Sequence, residues 1–260
     1  MHKMPVVFIG HGSPMNILEK NKFTENWAQI AAKIPKPTSI LVVSAHWMSH
    51  GTFTASTESP KTIYDFYGFP RELYQISYNA PGAPALAKQV QGLLGSRCAL
   101  NNDYGLDHGA WCVLHTMYPA ADIPVCQLSI NLDLSFKEAA EIGSLLASLR
   151  EQGVLILGSG NVVHNLRMVN FEKEDGYEWA WRFDKYIANA VKQRNFGAVS
   201  TFPGMEQEAR LAIPTFEHYV PLLYAMGASA PDDEVEISTP DCVLGSLSMT
   251  CYVWQAKEAQ

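Results

Sequence analysis

Four short apolar runs punctuate the first part of the chain: Val6–Ile9, Ile40–Ser44, Val125–Ile130 and Val154–Leu157. They hardly alternate between apolar and polar positions, which marks strands buried on both faces. Between them, apolar residues recur at helical spacing over Thr24–Lys33, Ala85–Leu94, Ala110–Met117 and Phe136–Arg150. The last of these opens with Ser135-x-x-Glu138, a pair that satisfies free amides of a first helical turn reciprocally. Alternation of strand and helix predicts an α/β fold with a central, mostly parallel sheet flanked by helices.

Further on, Glu172–Arg194 carries Tyr177, Trp179, Trp181, Phe183 and Tyr186, a pattern that predicts an amphipathic helix packed over the sheet. Near the end, Glu234–Ile237 and Leu247–Trp254 alternate as two antiparallel or edge strands about a turn at Pro240-Asp241. No Gly/Ser linker, repeat or low-complexity segment divides the chain, so residues 1–260 are expected to form a single domain.

Composition narrows the function classes. Hydrophobic residues at 47% and charged residues at 17% give enough apolar surface to offset chain entropy, which excludes disorder. With 19 basic against 26 acidic residues the net charge is −7, which disfavours nucleic acid and an anionic membrane surface as partners. No apolar run reaches the roughly 18 residues of a spanning helix, and the opening residues read as a strand rather than a cleavable signal, so a cytoplasmic location is expected. The five cysteines are scattered without a C-x-x-C, which argues against a disulfide framework or a thiolate zinc site and for reduced core residues.

The histidines carry the candidate chemistry. His11 follows the first strand, His46 ends the second, and His164 lies just beyond Val154–Leu157. The carboxyl ends of parallel strands border one crevice, so these residues can converge there. Three imidazoles in one crevice suit a catalytic metal with positions left open; each taken singly could equally hydrogen-bond within its own loop. His218 is a fourth candidate, in a stretch where Pro214 favours a turn and Phe216–Tyr224 can begin a helix. Its neighbour Glu217 competes for the same role. Adjacent helical residues point about 100° apart, so only one of the two faces the crevice, and Glu217 is expected in solvent.

His108 stands at a glycine-bracketed helix start, capped by Asp107, where it could donate a hydrogen bond to an anionic substrate or an oxygen species. His2, His50 and His115 are expected to be structural. Gly158-Ser-Gly160 lacks the third glycine of a dinucleotide fingerprint, no phosphate-binding G-x-x-x-x-G-K-[ST] occurs, and no G-x-S-x-G makes Ser13 or Ser159 a nucleophile. Those serines and glycines are expected to shape tight turns.

Six motifs run in order over nearly the whole chain: Gly10-His-Gly-Ser-Pro14, Val43-Ser-Ala-His-Trp47, Asp65-Phe-Tyr-Gly-Phe-Pro70, Asp107-His-Gly-Ala-Trp111, Gly158-Ser-Gly-Asn-Val-Val-His-Asn-Leu166 and Glu217-His-Tyr-Val-Pro-Leu-Leu223. In combination they resemble the class III (LigB-type) extradiol ring-cleavage dioxygenases. The resemblance implies a LigB-like α/β fold and a non-haem Fe(II) that binds both hydroxyls of a catechol such as L-DOPA, then O₂. Both oxygen atoms enter beside the diol, and DOPA would give a seco-DOPA. Carried over position by position, His11, His46 and His218 would be metal ligands and His164 the acid/base group beside the substrate hydroxyl. Many relatives use two histidines and a glutamate; here the matching position is His218.

On the same resemblance, His164 is also a candidate fourth ligand when zinc, which favours four-coordinate nitrogen sites, occupies the centre. His108 would steady bound dioxygen or a substrate oxygen. Tyr64, Asp65 and Phe66 would line the pocket, with turn capping as the alternative for Asp65. The implied partners are a small catechol and O₂, with the oligomeric state open. Two rival functions share these residues: a zinc hydrolase that activates water, and a non-catalytic binding protein like the Memo proteins, which look similar in fold.

Overall fold

The computed structural model describes residues 3–257. The strands are β1 (Val6–Gly10), β2 (Ser39–Ser49), β3 (Thr52–Ala55), β4 (Cys98–Asn101), β5 (Val125–Asn131), β6 (Val154–Gly160), β7 (Asp233–Ser238), β8 (Cys242–Val243), β9 (Leu247–Ser248) and β10 (Cys251–Ala256). Eight of them form one sheet in the order β4-β3-β5-β2-β6-β1-β10-β7, while β8 and β9 pair separately. The middle of the sheet, β5-β2-β6-β1, is parallel throughout. β10 joins β1 antiparallel and β7 closes that edge, also antiparallel.

The helices are α1 (Lys22–Lys33), α2 (Pro84–Leu94), α3 (His108–Met117), α4 (Phe136–Leu146), α5 (Glu178–Lys192), α6 (Phe196–Thr201), α7 (Glu206–Ala212) and α8 (Val220–Ala228). They cover both faces of the sheet, which is why the central strands are largely apolar on both faces. Along β1, Val6 and Phe8 enter the core under α2, α4, α5 and α8, whereas Val7 and Ile9 enter the opposite core under α1 and α3. The mostly parallel, helix-flanked sheet agrees with the pattern of the sequence. All five cysteines are buried and unpaired, and among the described residues no helix is long and apolar enough to cross a membrane.

Several boundaries differ from the sequence pattern, each for a local reason. The Ser135/Glu138 capping box opens α4 as expected, but past Leu146 the helix tightens into a 3-10 turn that stops at Gly153, φ 81°. The aromatic helix occupies only the later part of Glu172–Arg194. Gly176 lies so close to Cys242 that a Cβ there would meet its side chain at 2.3 Å, fixing the chain outside the helix until Tyr177. Residues 216–219 are turns rather than helix, and α8 begins at Val220 with Pro221 in its first turn. A helix begun at Phe216 would bury that proline in its interior, where it breaks a backbone hydrogen bond. Leu247–Trp254 divides into β9 and β10 around Met249, whose amide donates to Asp241 O at 2.7 Å. The edge strand β4 and its neighbour β3, four residues each, escape the pattern altogether.

Candidate metal centre

The parallel register sets Gly10 beside Gly160 and Ser44 beside Ser159, so the carboxyl ends of β1, β6 and β2 share one rim. His11 leaves β1 there. His46 lies within β2 where its pairing with β5 shifts register between Val43 and Met48, an irregularity that re-aims a side chain. His218 arrives from the turns before α8. Gly160 makes room for it: a Cβ would sit 2.1 Å from His218 O, and the next residue, Asn161, donates its amide to that same carbonyl at 2.9 Å.

The three rings face one another, with centroids 5.2 Å apart for His11–His46 and His11–His218 and 5.0 Å for His46–His218. Their donor atoms form a group within 4.8 Å of one another. His11 Nε2 and His46 Nε2 are 3.3 Å apart, close to the ~3.0–3.4 Å separating two nitrogens that each lie ~2.0–2.1 Å from one ion.

The hydrogen bonds around the rings decide where the protons sit. Ser159 Oγ donates to Gly109 O at 2.6 Å, so it accepts from His11 Nδ1 at 2.9 Å, leaving a lone pair on His11 Nε2. Carboxylate oxygens stand at the Nδ1 atoms of the other two: Asp65 Oδ2 at 3.2 Å from His46 and Glu217 Oε1 at 3.3 Å from His218. Each therefore favours the Nδ1–H form. Burial, followed by the neighbouring imidazoles, holds His11 and His218 well below the usual histidine range. Burial and then His108 pull His46 down to about 3, against the opposing pull of Asp65. Three nitrogen lone pairs turned together, where protonation is disfavoured, are the donor set for a divalent transition metal.

His164 stands beside this trio. Its ring stacks on His218 with centroids 3.4 Å apart and planes 7° from parallel, and its donor atom groups with those of Glu217 and His218. Burial, then His108, lowers it to about 4. His108 is 7% exposed, its ring centroid 3.9 Å from that of His46. Phe66 meets His108 edge-on at 5.5 Å and continues through Phe69, Tyr74 and Trp111 into an aromatic wall. Tyr64 belongs to that wall, but its hydroxyl is engaged with Ile76 O at 2.8 Å.

Two expectations are corrected. Glu217 is not left in solvent; it is half-buried, accepts from Thr215 Oγ1 at 2.8 Å and stands at the His218 ring. Ser159 is not a turn former but a fully buried strand residue that orients His11. His50 is exposed against Asp133, and His115 is half-buried on α3 near Tyr78, both away from the centre. His2 lies outside the described residues.

A further layer escaped the sequence. Asp107, fully buried, accepts from Ser44 Oγ at 2.6 Å, Gln127 Nε2 at 2.8 Å, Tyr104 Oη at 3.2 Å and the amide of Ala110 at 3.1 Å. Burial pushes its carboxyl up, as does Asp65, while the Gln127 and Ser44 bonds oppose them. Ser44 and Tyr104 also reach the backbone of His46, at 3.3 Å each. The available signal was polar residues inside apolar strands, Ser44, Gln127 and Ser159, which buried structure tolerates only with partners.

The chain matches the family model for the catalytic LigB subunit of aromatic ring-opening dioxygenase over residues 1–253. It is 45% identical over 258 residues to an Escherichia coli K12 protein named 4,5-DOPA dioxygenase extradiol, covering 95% of this chain and 93% of that one. A protein of the same name from Beta vulgaris is 40% identical over 239 residues, 88% of each. The crystal structure of an uncharacterized protein from Escherichia coli K12 is similar with a TM-score of 0.82 and 38% identity, covering 96% of this chain and 99% of that chain.

Proposed function

The chain belongs to the LigB family of aromatic ring-opening dioxygenases, and on that footing we propose that it opens the ring of a catechol such as L-DOPA, using O₂ and an Fe(II) held by His11, His46 and His218. The observation that carries the assignment is the convergence of three imidazoles, each offering a donor nitrogen within 4.8 Å of the others and each with a hydroxyl or carboxylate oxygen at its Nδ1. When bound, the metal supplies a Lewis-acidic point that gathers the two catechol oxygens and O₂ and lowers the cost of deprotonating the diol. The same nitrogens also suit zinc.

The protein residues have separable tasks. His164, kept unprotonated by burial, accepts a proton from a substrate hydroxyl on a ring nitrogen and returns it during ring opening. His108, whose ring lies beside that of His46, steadies an oxygen of O₂ or substrate. The wall of Phe66, Phe69, Tyr74 and Trp111 excludes water and offers ring faces to an aromatic substrate. We place this activity in one domain and in the cytoplasm, in keeping with buried, unpaired cysteines.

The test is to strip the protein of metal, reload it anaerobically with Fe(II), add L-DOPA or unsubstituted catechol, and admit oxygen. O₂ uptake matched by a yellow ring-opened product is expected, with none from the zinc-loaded form. Absence of uptake with every catechol tried refutes the assignment.

A further inference from the structure

One carboxylate serves two histidines and a helix end. Asp65 Oδ1 accepts the backbone amide of His108 at 2.9 Å, in the first turn of α3. Asp65 Oδ2 lies at ion-pair distance from two ring nitrogens, 3.2 Å from His46 Nδ1 and 3.0 Å from His108 Nδ1, the latter making no hydrogen bond. The oxygens of the Asp65 carboxylate can only accept. Its place is fixed from outside the centre. Ile63 donates to Leu106 O and Leu106 donates back to Lys61 O, both at 2.8 Å, which locks the segment bearing Asp65 to the residues just before His108. The same segment carries Tyr64 and Phe66 of the aromatic wall.

We propose that Asp65 is a positioning residue that fixes the tautomer of His46, holding its proton on Nδ1 so that Nε2 presents its lone pair to the metal. This rests on the assignment of His46 as a ligand. It has a consequence that a space-filling role lacks. An asparagine has nearly the same shape, but one of its two terminal atoms is an NH₂ donor. Turned one way, the NH₂ faces the two Nδ1 atoms and drives the proton of His46 to Nε2, against the metal. Turned the other way, it faces the amide of His108, donor against donor. Alanine forces neither clash and leaves room for water to accept from the rings.

Zinc(II) titration against a competing chelator and ¹⁵N shifts of the His46 ring, both on the full-length apoprotein at pH 8, test this. The wild-type ring should be protonated at Nδ1. Asp65→Ala should weaken zinc binding about 10-fold and Asp65→Asn about 100-fold, the range seen when the outer partner of a metal-bound histidine is removed. In Asp65→Asn the proton of His46 should move to Nε2. A packing role gives the reverse order, since alanine leaves the larger gap. The proposal is overturned if wild-type His46 carries its proton on Nε2, or if Asp65→Asn binds zinc as tightly as Asp65→Ala. His46→Ala checks the premise separately: loss of zinc supports it, while unimpaired binding removes the premise and the proposal with it. None of these readouts depends on whether a catechol is cleaved.

Discussion

Each of the three imidazoles proposed as ligands has a different kind of group behind it: a serine hydroxyl for His11, an aspartate for His46 and a glutamate for His218. His164 has a different environment, stacked on His218 with its backbone amide tied to Ala212 O at 2.9 Å. The two classes of histidine should separate on substitution. His11→Ala is expected to lose iron, measured as the iron-to-protein ratio after desalting. His164→Ala should keep its iron while turnover falls by about 10²–10⁴-fold, the usual contribution of a general acid/base group. Equal iron loss in both would put His164 in the ligand shell. The four histidines themselves were legible in the sequence because they sit at the ends of apolar runs or in a recognisable motif. Their partners were not, because Ser159 and Asp65 reach the rings through register and loop path, which spacing along the chain does not encode.

At the level of elements, α8 delivers His218 and leans on α4 through two bare contacts. A Cβ on Gly143 would sit 2.1 Å from Tyr224 O, and one on Gly227 would sit 2.0 Å from Ala140 O. The helices can be this close only because each presents hydrogen where the other presents backbone. Gly143→Ala is therefore expected to cost about 1–3 kcal/mol through overpacking, seen as a lower midpoint in urea unfolding with little change in slope. An unchanged midpoint would mean that the helices separate without penalty. Helices with a strong apolar face and a capping pair, such as α4, were readable in advance. The start of α8 was not, because its position depends on where Pro221 can be accommodated. β3 and β4 are too short for a period to register and take their identity from neighbours distant in sequence.

For the whole molecule, gathering depressed imidazoles at one rim makes the apoprotein sensitive to acid. The rings of His11, His46, His164 and His218 are all lowered in the fold, whereas in the unfolded chain they titrate near 6.5. Below that pH the unfolded state binds more protons, so stability falls as pH drops from about 6.5 toward the folded values, about 4 for His164 and about 3 for His46. From pH 6.5 to pH 5 one such imidazole costs roughly 2 kcal/mol. Asp184, pushed up to about 6 by burial, and Asp107, also pushed up, act in the opposite sense, but they are two carboxyls against four imidazoles. Urea unfolding of the apoprotein should show a clear loss of stability from pH 7 to pH 5, and His164→Gln should flatten the slope. A pH-independent midpoint would contradict the burial argument.

The place of β10 also bears on how the protein is made. This strand, Cys251–Ala256, covers the flank of β1 away from β6, and the backbone between β9 and β10 presses against Gly10, where a Cβ would lie 2.7 Å from Met249. On the ribosome, His218 follows His11 by more than 200 positions, and the strand that leads into His11 lacks its second neighbour until residues 251–256 have been added. Translation thus leaves this flank of the strand bearing His11 open until β10 has been made.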